Sequence, residues 1–182
     1  TSTSAKKLKN AHRLSPRANK AFVDLNCAAV PSSLLESELF GYERGAFTGA
    51  ANEKPGLVEV ADGGTLFLDE VGEMIPEIQS KFLRVLDSGT FYRVGATRKR
   101  RADFRLVCAT NRDLKGEVAA GRFRKDLFFR VNGVKVVIPP LRERPEDIPL
   151  LVEHFCHLDV GGRLAGRASA NTSPCARETS PQ

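Results

Sequence analysis

No stretch of this sequence stays apolar for longer than a β-strand, which excludes a membrane-spanning helix in the residues given. No apolar core follows Thr1-Ser2-Thr3-Ser4-Ala5-Lys6-Lys7, so the first residues do not read as a secretory leader. The four cysteines lie far apart and form no Cys-x-x-Cys pair, which points to a reducing, cytoplasmic setting without disulfides. Cys27 and Cys108 fall at the ends of predicted strands, where a free thiol behaves as a small apolar group. No repeat or heptad pattern occurs. Also missing is any Gly-x-x-x-x-Gly-Lys-[Ser/Thr] run, whose backbone N–H groups cradle nucleotide phosphates, and residues 1–11 contain no glycine at all.

What is present suits one soluble domain with a real core: 182 residues, 41% hydrophobic and 27% charged. The net charge of +6 would suit a nucleic-acid partner. Much of it, however, sits in one run, Arg98-Lys99-Arg100-Arg101, flanked by Arg93 and Arg105. No aromatic residues interleave with the run as they would in a single-strand stacking platform, and a solvated loop is the plainer account.

In chain order, residues 1 to about 20 are basic and polar, with a turn at Ser15-Pro16. Ala21 to Asn26 reads as a strand, and Pro31 opens a helix that reaches about Phe40. Gly41 begins a loop, and a short helix covers about Gly56 to Ala61. Gly63-Gly64-Thr65-Leu66-Phe67-Leu68-Asp69-Glu70 is a turn, a short apolar run and two adjacent carboxylates. Such a run predicts a strand buried on both faces of a parallel sheet. Pro76 to Gly89 is the clearest helix, with Ile75, Ile78, Phe82, Leu83 and Leu86 at helical spacing. Thr90 to Arg105 is a basic hairpin or long loop, Phe104 to Thr110 a strand, and a helix starts near Asp113. Arg124 to Arg130 is a short helix, Val134 to Ile138 a fourth strand, and Pro145 opens a helix carrying Ile148, Leu151, Val152 and Phe155. Strands alternating with helices predict a mainly parallel sheet flanked by helices. From Asp159 onward the composition predicts disorder.

Three strands end in polar groups: Asn26, then Asp69 with Glu70, then Asn111. The carboxyl ends of parallel strands share one rim, where ligands of open α/β sheets collect. A carboxylate there can serve Mg²⁺, and a second can orient a water. Asparagine also ends strands simply because it tolerates turns. His154 and His157 could share a helix face, but no further metal ligands accompany them.

Glu38-Leu39-Phe40-Gly41-Tyr42-Glu43-Arg44-Gly45-Ala46-Phe47-Thr48-Gly49-Ala50 resembles the signature of sigma-54-dependent transcriptional activators, the bacterial enhancer-binding proteins. Residues Gly45 to Ala50 match the family's GAFTGA loop letter for letter. The likeness extends through Gly63–Glu70 (Walker B), Cys108-Ala109-Thr110-Asn111 (sensor I), Phe123-Arg124-Lys125-Asp126-Leu127 and Pro139 to Arg144. It covers roughly residues 12 to 156. It implies an α/β fold of the AAA+ P-loop NTPase type, ATP and Mg²⁺ as cofactors, and a hexameric ring that remodels the closed complex of sigma-54 RNA polymerase.

By the same resemblance Asp69 would serve Mg²⁺, and Glu70 would polarise the hydrolytic water. Asn26 would hold Glu70 until sigma-54 is engaged, and Thr110 and Asn111 would sense the γ-phosphate. Arg124 and Arg130 would act as arginine fingers in the neighbouring subunit's site, pointing about 120° apart if both lie on one helix. Gly45, Ala46, Phe47, Thr48, Gly49 and Ala50 would contact sigma-54. An exposed Phe between glycines suits a contact loop, although a turn folded back on the core would also account for it.

The sequence departs from the family where the P-loop, its strand, the helical lid and a DNA-binding domain would stand. The expected organisation is a non-matching stretch 1–11, a partial AAA+ sigma-54 interaction domain 12–157, and a disordered tail 158–182. The expected fold thus lacks the first strand and the lid, with promoter or enhancer DNA reached only through absent domains. Two functional expectations follow: a transcription activator's ATPase core, or a fragment that binds sigma-54 or sister subunits without ATP turnover. Nucleic-acid binding through Arg98–Arg101 is a third.

Overall fold

A computed structural model describes the backbone of residues 3–153 and the side chains of residues 8–153. The chain divides into two units, residues 1–134 and 135–182.

The first unit opens with helix α1 (Thr3–Arg13), where the sequence predicts only a polar basic stretch. Its end is anchored at His12, a buried residue whose Nδ1 lies 3.0 Å from Thr65 Oγ1 and whose Nε2 lies 3.1 Å from the Lys20 carbonyl. A carbonyl only accepts, so Nε2 carries the hydrogen. Strand β1 (Phe22–Asn26) follows, then helix α2 (Ser32–Phe40). The short strands β2 (Gly41–Tyr42) and β3 (Lys54–Pro55) pair antiparallel and bring together the two ends of the intervening loop. Helix α3 (Leu57–Val60) leads into β4 (Thr65–Asp69), and a 3-10 turn at Val71–Glu73 leads into α4 (Pro76–Ser88).

Strands β5 (Thr90–Phe91) and β6 (Arg100–Arg101) form the expected hairpin. Strand β7 (Arg105–Cys108), α5 (Leu114–Ala119) and α6 (Lys125–Val131) complete the unit. Asp113 caps α5 by accepting from the N–H groups of Lys115 and Gly116.

β1, β4 and β7 form one parallel sheet with β4 in the middle. The apolar run Leu66-Phe67-Leu68 is buried on both faces, as its composition predicts. Leu35, Leu39 and Phe40 from α2, Ile78 and Phe82 from α4, and Leu127 from α6 join the same core.

The expected fourth strand is not formed. Val134 lies in a bend and residues 135–138 carry no regular structure, with Val134 94% and Val136 80% exposed. A strand exists through its hydrogen-bonding neighbour, and the described residues supply none to this segment. In the second unit a 3-10 turn (Leu141–Glu143) precedes a helical stretch at 147–153, two residues after Pro145. Phe155, His154, His157 and the tail lie outside the described residues.

Candidate functional site

The parallel register sets Asn26 beside Asp69, and Leu68 beside Cys108, so the three strands end on one rim. Backbone bonds stitch the loops beyond it: Cys27 N–H to the Asp69 carbonyl at 2.9 Å, and Val71 N–H to the Ala109 carbonyl at 3.0 Å. Asn26, Asp69, Glu70, Thr110 and Asn111 therefore belong to one edge, as the strand ends predict.

Glu70 is the described non-glycine residue with positive φ, at φ 53 and ψ 47. An L-residue in this left-handed region carries about 1–2 kcal/mol of steric cost. The turn is held by Glu73 N–H donating to the Glu70 carbonyl at 2.9 Å, while Asn111 N–H donates to Glu70 Oε2 at 3.2 Å. The Glu70 carboxylate is thus tied across the rim to β7's exit. Asp69 is half-buried, and its carboxylate accepts no hydrogen bond from the described residues. Gly72 sits where a Cβ would meet Thr110 Oγ1 at 3.1 Å and the Arg112 side chain at 3.2 Å, so a larger residue there would push these side chains back by a few tenths of an ångström.

Asn26 does not hold Glu70 here. Its Oδ1 accepts from Ala28 N–H at 2.8 Å and Ala29 N–H at 3.2 Å, closing its own turn. Such local side-chain-to-backbone bonding is what asparagine does readily at a strand end. Thr110 Oγ1 similarly accepts from Arg112 N–H.

Burial pushes both Cys27 and Cys108 thiols up to about 12, helped at Cys27 by the Asp69 and Glu70 charges. Cys27 is buried in the core and Cys108 packs half-buried against it, as their strand-end positions predict. Among the described residues no group of three His, Cys, Asp or Glu is placed to hold a metal.

The two arginines stand apart from this rim and from one another. Arg124 is not helical: it caps the N-terminus of α6 with an extended backbone, φ −72 and ψ 134. It forks onto Asp126 through Nε at 3.0 Å and Nη2 at 2.6 Å, and donates to Ser80 Oγ at 3.2 Å. That fork holds the Asp126 carboxyl below the usual carboxylate range. Arg130, inside α6, donates to the Leu86 carbonyl at 2.6 Å and lies 3.5 Å from Asp87. The angle expected for two positions of one helix therefore does not apply. The reason is local, since the chain enters α6 only after Arg124.

The loop 43–51 is a compact turn system. Gly45 N–H donates to the Ala50 carbonyl at 2.9 Å and Ala50 N–H to the Phe47 carbonyl at 3.0 Å, with Gly45 and Gly49 at φ 80 and 101. Phe47 is 43% exposed and leans edge-on against Tyr42, with centroids 5.0 Å apart. It is neither folded into the core nor fully free.

Sequence reasoning missed what holds this loop. Arg93 is buried and bonds Glu59 through Nε and Nη2, Glu53 through Nη1 at 3.1 Å and Glu43 at 3.4 Å. Arg100 joins Glu59 at 3.0 Å and Glu43 at 3.3 Å. The basic run is thus not wholly a solvated loop: Arg93 and Arg100 are structural partners of three glutamates around the loop, while Arg98, Lys99 and Arg101 stay exposed. No local pattern marks this pairing, because its members are 34 to 57 residues apart.

Gln79 was also missed, although a signal existed. It occupies the apolar stripe of α4 between Ile78 and Phe82, and a polar residue there needs partners.

The profile described as "Sigma-54 interaction domain" matches residues 4–137. The chain is similar to the Nif-specific regulatory protein of Herbaspirillum seropedicae, 60% identical over 144 residues, covering 79% of this chain and 27% of that protein. It is 54% identical over 155 residues to the DNA-binding transcriptional regulator NtrC of Escherichia coli, covering 85% of this chain and 33% of NtrC. Among solved structures it is similar to NtrX from Brucella abortus in complex with ATP, with TM-score 0.77 and 41% identity over 89% of this chain and 35% of that one. The chain spans about a quarter to a third of the length of most of the curated relatives it matches.

Proposed function

This chain belongs to the Sigma-54 interaction domain family, with the AAA+-type α/β fold of that family, and we propose that it is the part of a bacterial transcription activator that links nucleotide chemistry to contact with sigma-54 RNA polymerase. The observation that carries the proposal is the shared rim, with Asn26, Asp69, Glu70, Thr110 and Asn111 at the carboxyl ends of adjacent parallel strands.

The side chains on the rim fit a magnesium nucleotide. The Asp69 carboxylate is uncommitted to other described residues, and Mg²⁺ typically takes one or two carboxylates while keeping waters. Asp69 would hold the cation, which when bound neutralises phosphate charge. Glu70, fixed by Asn111 N–H, is poised to accept a hydrogen bond from water. Thr110 and Asn111, on the loop that carries that N–H, would register the terminal phosphate. The Asn26 amide nitrogen makes no hydrogen bond to the described residues and is available to turn toward Glu70.

Arg124 and Arg130 would serve a neighbouring copy's site in a hexameric ring. Each would have to exchange its present partner, Asp126 or Asp87, for phosphate. Gly45 to Ala50 would present Phe47 and Thr48 to sigma-54. Arg98, Lys99 and Arg101 carry no assigned role.

The phosphate cradle itself has no counterpart in this sequence, so the test supplies one. Residues 12–137 are placed in the corresponding stretch of Brucella abortus NtrX, and magnesium-dependent ATP hydrolysis and retention of sigma-54 are measured. Hydrolysis lost in Glu70→Gln and sigma-54 retention lost in Phe47→Ala are the expected results. A folded chimera that hydrolyses no ATP overturns the reading.

A further inference from the structure

Gln79 is fully buried and bonds through both ends of its amide. Nε2 donates to the Met74 carbonyl at 2.7 Å and to the Arg122 carbonyl at 2.9 Å. Oε1 accepts from Arg124 N–H at 2.8 Å. The three partners come from two places distant in sequence: the exit of β4 and the entry to α6.

The β4 side of this clamp is continuous with the acidic rim. Met74 follows the 3-10 turn whose first bond runs from Glu73 N–H to the Glu70 carbonyl, and Met74 N–H donates in turn to the Val71 carbonyl at 3.3 Å. The α6 side ends at Arg124 itself, whose guanidinium is met by Ser80, the next residue of α4. Phe123, between the two clamped residues, is buried in the core.

A second, exposed route joins the same segments. Arg112 bonds Glu73 at 2.6 Å and Glu117 at 3.3 Å, and Glu117 accepts from Arg122 through both oxygens at 2.7 Å. Exposed charge pairs are individually weak, so the buried amide is the stronger tie.

We propose that Gln79 is a positioning residue that fixes Arg124 relative to the Asp69–Glu70 strand end, so that the carboxylates and the arginine shift together. An apolar residue of equal size would fill the space but leave two carbonyls and one N–H unpaired. The placement of Arg124 is read from this chain alone; its use toward a neighbouring copy's nucleotide rests on the proposed function.

The test is amide hydrogen exchange, followed by NMR in the whole chain, on wild type, Gln79→Met and Gln79→Glu. Gln79→Met keeps the length and removes every bond, and Arg124 N–H is expected to exchange about tenfold faster relative to the β4 amides, the factor of one ordinary hydrogen bond. Gln79→Glu keeps an acceptor for Arg124 N–H, can donate to at most one of the two carbonyls, and burdens the core with a carboxyl. Overall stability should fall in both variants, while Arg124 protection returns only in Gln79→Glu. If Arg124 exchange follows overall stability equally in both, the proposal is overturned. If neither variant folds, the wild-type Nε2 protons decide: exchange as slow as the β4 amides supports the clamp, and exchange as fast as an exposed glutamine overturns it. A chimera that fails to hydrolyse ATP leaves the exchange result standing.

Discussion

Asn111 reaches Glu70 through its backbone and not its side chain: the Asn111 N–H donates to Glu70 Oε2 at 3.2 Å, across the gap between β7 and β4. The carboxylate it holds belongs to a residue in a left-handed backbone conformation. Strain of this kind persists where surrounding bonds over-determine it, and here four do: Asn111 N–H, Glu73 N–H, Val71 N–H and the β4 ladder.

Substitutions at Glu70 should therefore separate shape from charge. Glu70→Gly relieves the left-handed cost but loosens the unfolded chain and loses the Asn111 bond, so the melting temperature should change by only a few degrees. Glu70→Val, branched at Cβ, should destabilise by about 2 kcal/mol. Thermal denaturation of the two variants side by side checks the difference in sign and size.

The glutamate cluster should depend on Arg93. Only 5% of its side chain is exposed, and it faces three carboxylates. Arg93→Met keeps the stem and leaves those carboxylates together, with an expected loss of about 2–4 kcal/mol. Arg93→Lys should recover less than half, because one ammonium cannot reproduce the fork onto Glu59. Chymotryptic cleavage after Phe47 should accelerate in both variants, and unchanged cleavage would show that the cluster does not hold the loop.

Phe47 should matter little to stability. Because it is 43% exposed and touches Tyr42 by one edge, Phe47→Ala should cost less than about 1.5 kcal/mol by chemical denaturation. The same substitution should abolish sigma-54 retention in the chimera. A large stability loss with retention intact would assign Phe47 to the fold instead.

Alkaline stability should report the thiols of buried Cys27 and half-buried Cys108. Their titration is raised from the ordinary value near 9 to about 12, so the unfolded chain releases these protons first. Their contribution is full below the ordinary thiol range and falls as the pH climbs from about 9 toward 12. Alkylation at pH 8 should spare Cys27 and Cys108 until denaturant is added, and peptide mapping separates them from Cys156 and Cys175. Rapid labelling of Cys27 in the folded chain would contradict its burial, and rapid labelling of Cys108 would contradict its raised titration.

The strand at Thr65–Asp69, its carboxylates and the neighbouring strand ends were legible because they depend on short-range pattern. An apolar run of that length is buried on both sides, and parallel strands must end on the same rim. The loop motif was legible as six consecutive letters, Gly45 to Ala50. Helix α4 followed from its apolar spacing and its Pro76 and Gly89 boundaries.

What remained hidden depended on which partner folding supplied, in some cases far along the chain and in others within two or three residues. Residues 134–138 carry strand-forming side chains yet stay unpaired, because a strand is defined by its neighbour and not by its own composition. Asn26 turned its oxygen to its own turn, Arg124 stopped short of the helix, and the basic run gave Arg100 to the glutamates. Each outcome was chosen by which polar group lay nearest in space. The sequence by itself determined the sheet's central strand, the acidic rim and the Gly45–Ala50 loop motif. Only the tertiary structure decided that Arg93 secures that loop and Gln79 ties the rim to Arg124, because buried charges and amides take their roles from partners that folding brings within hydrogen-bond reach.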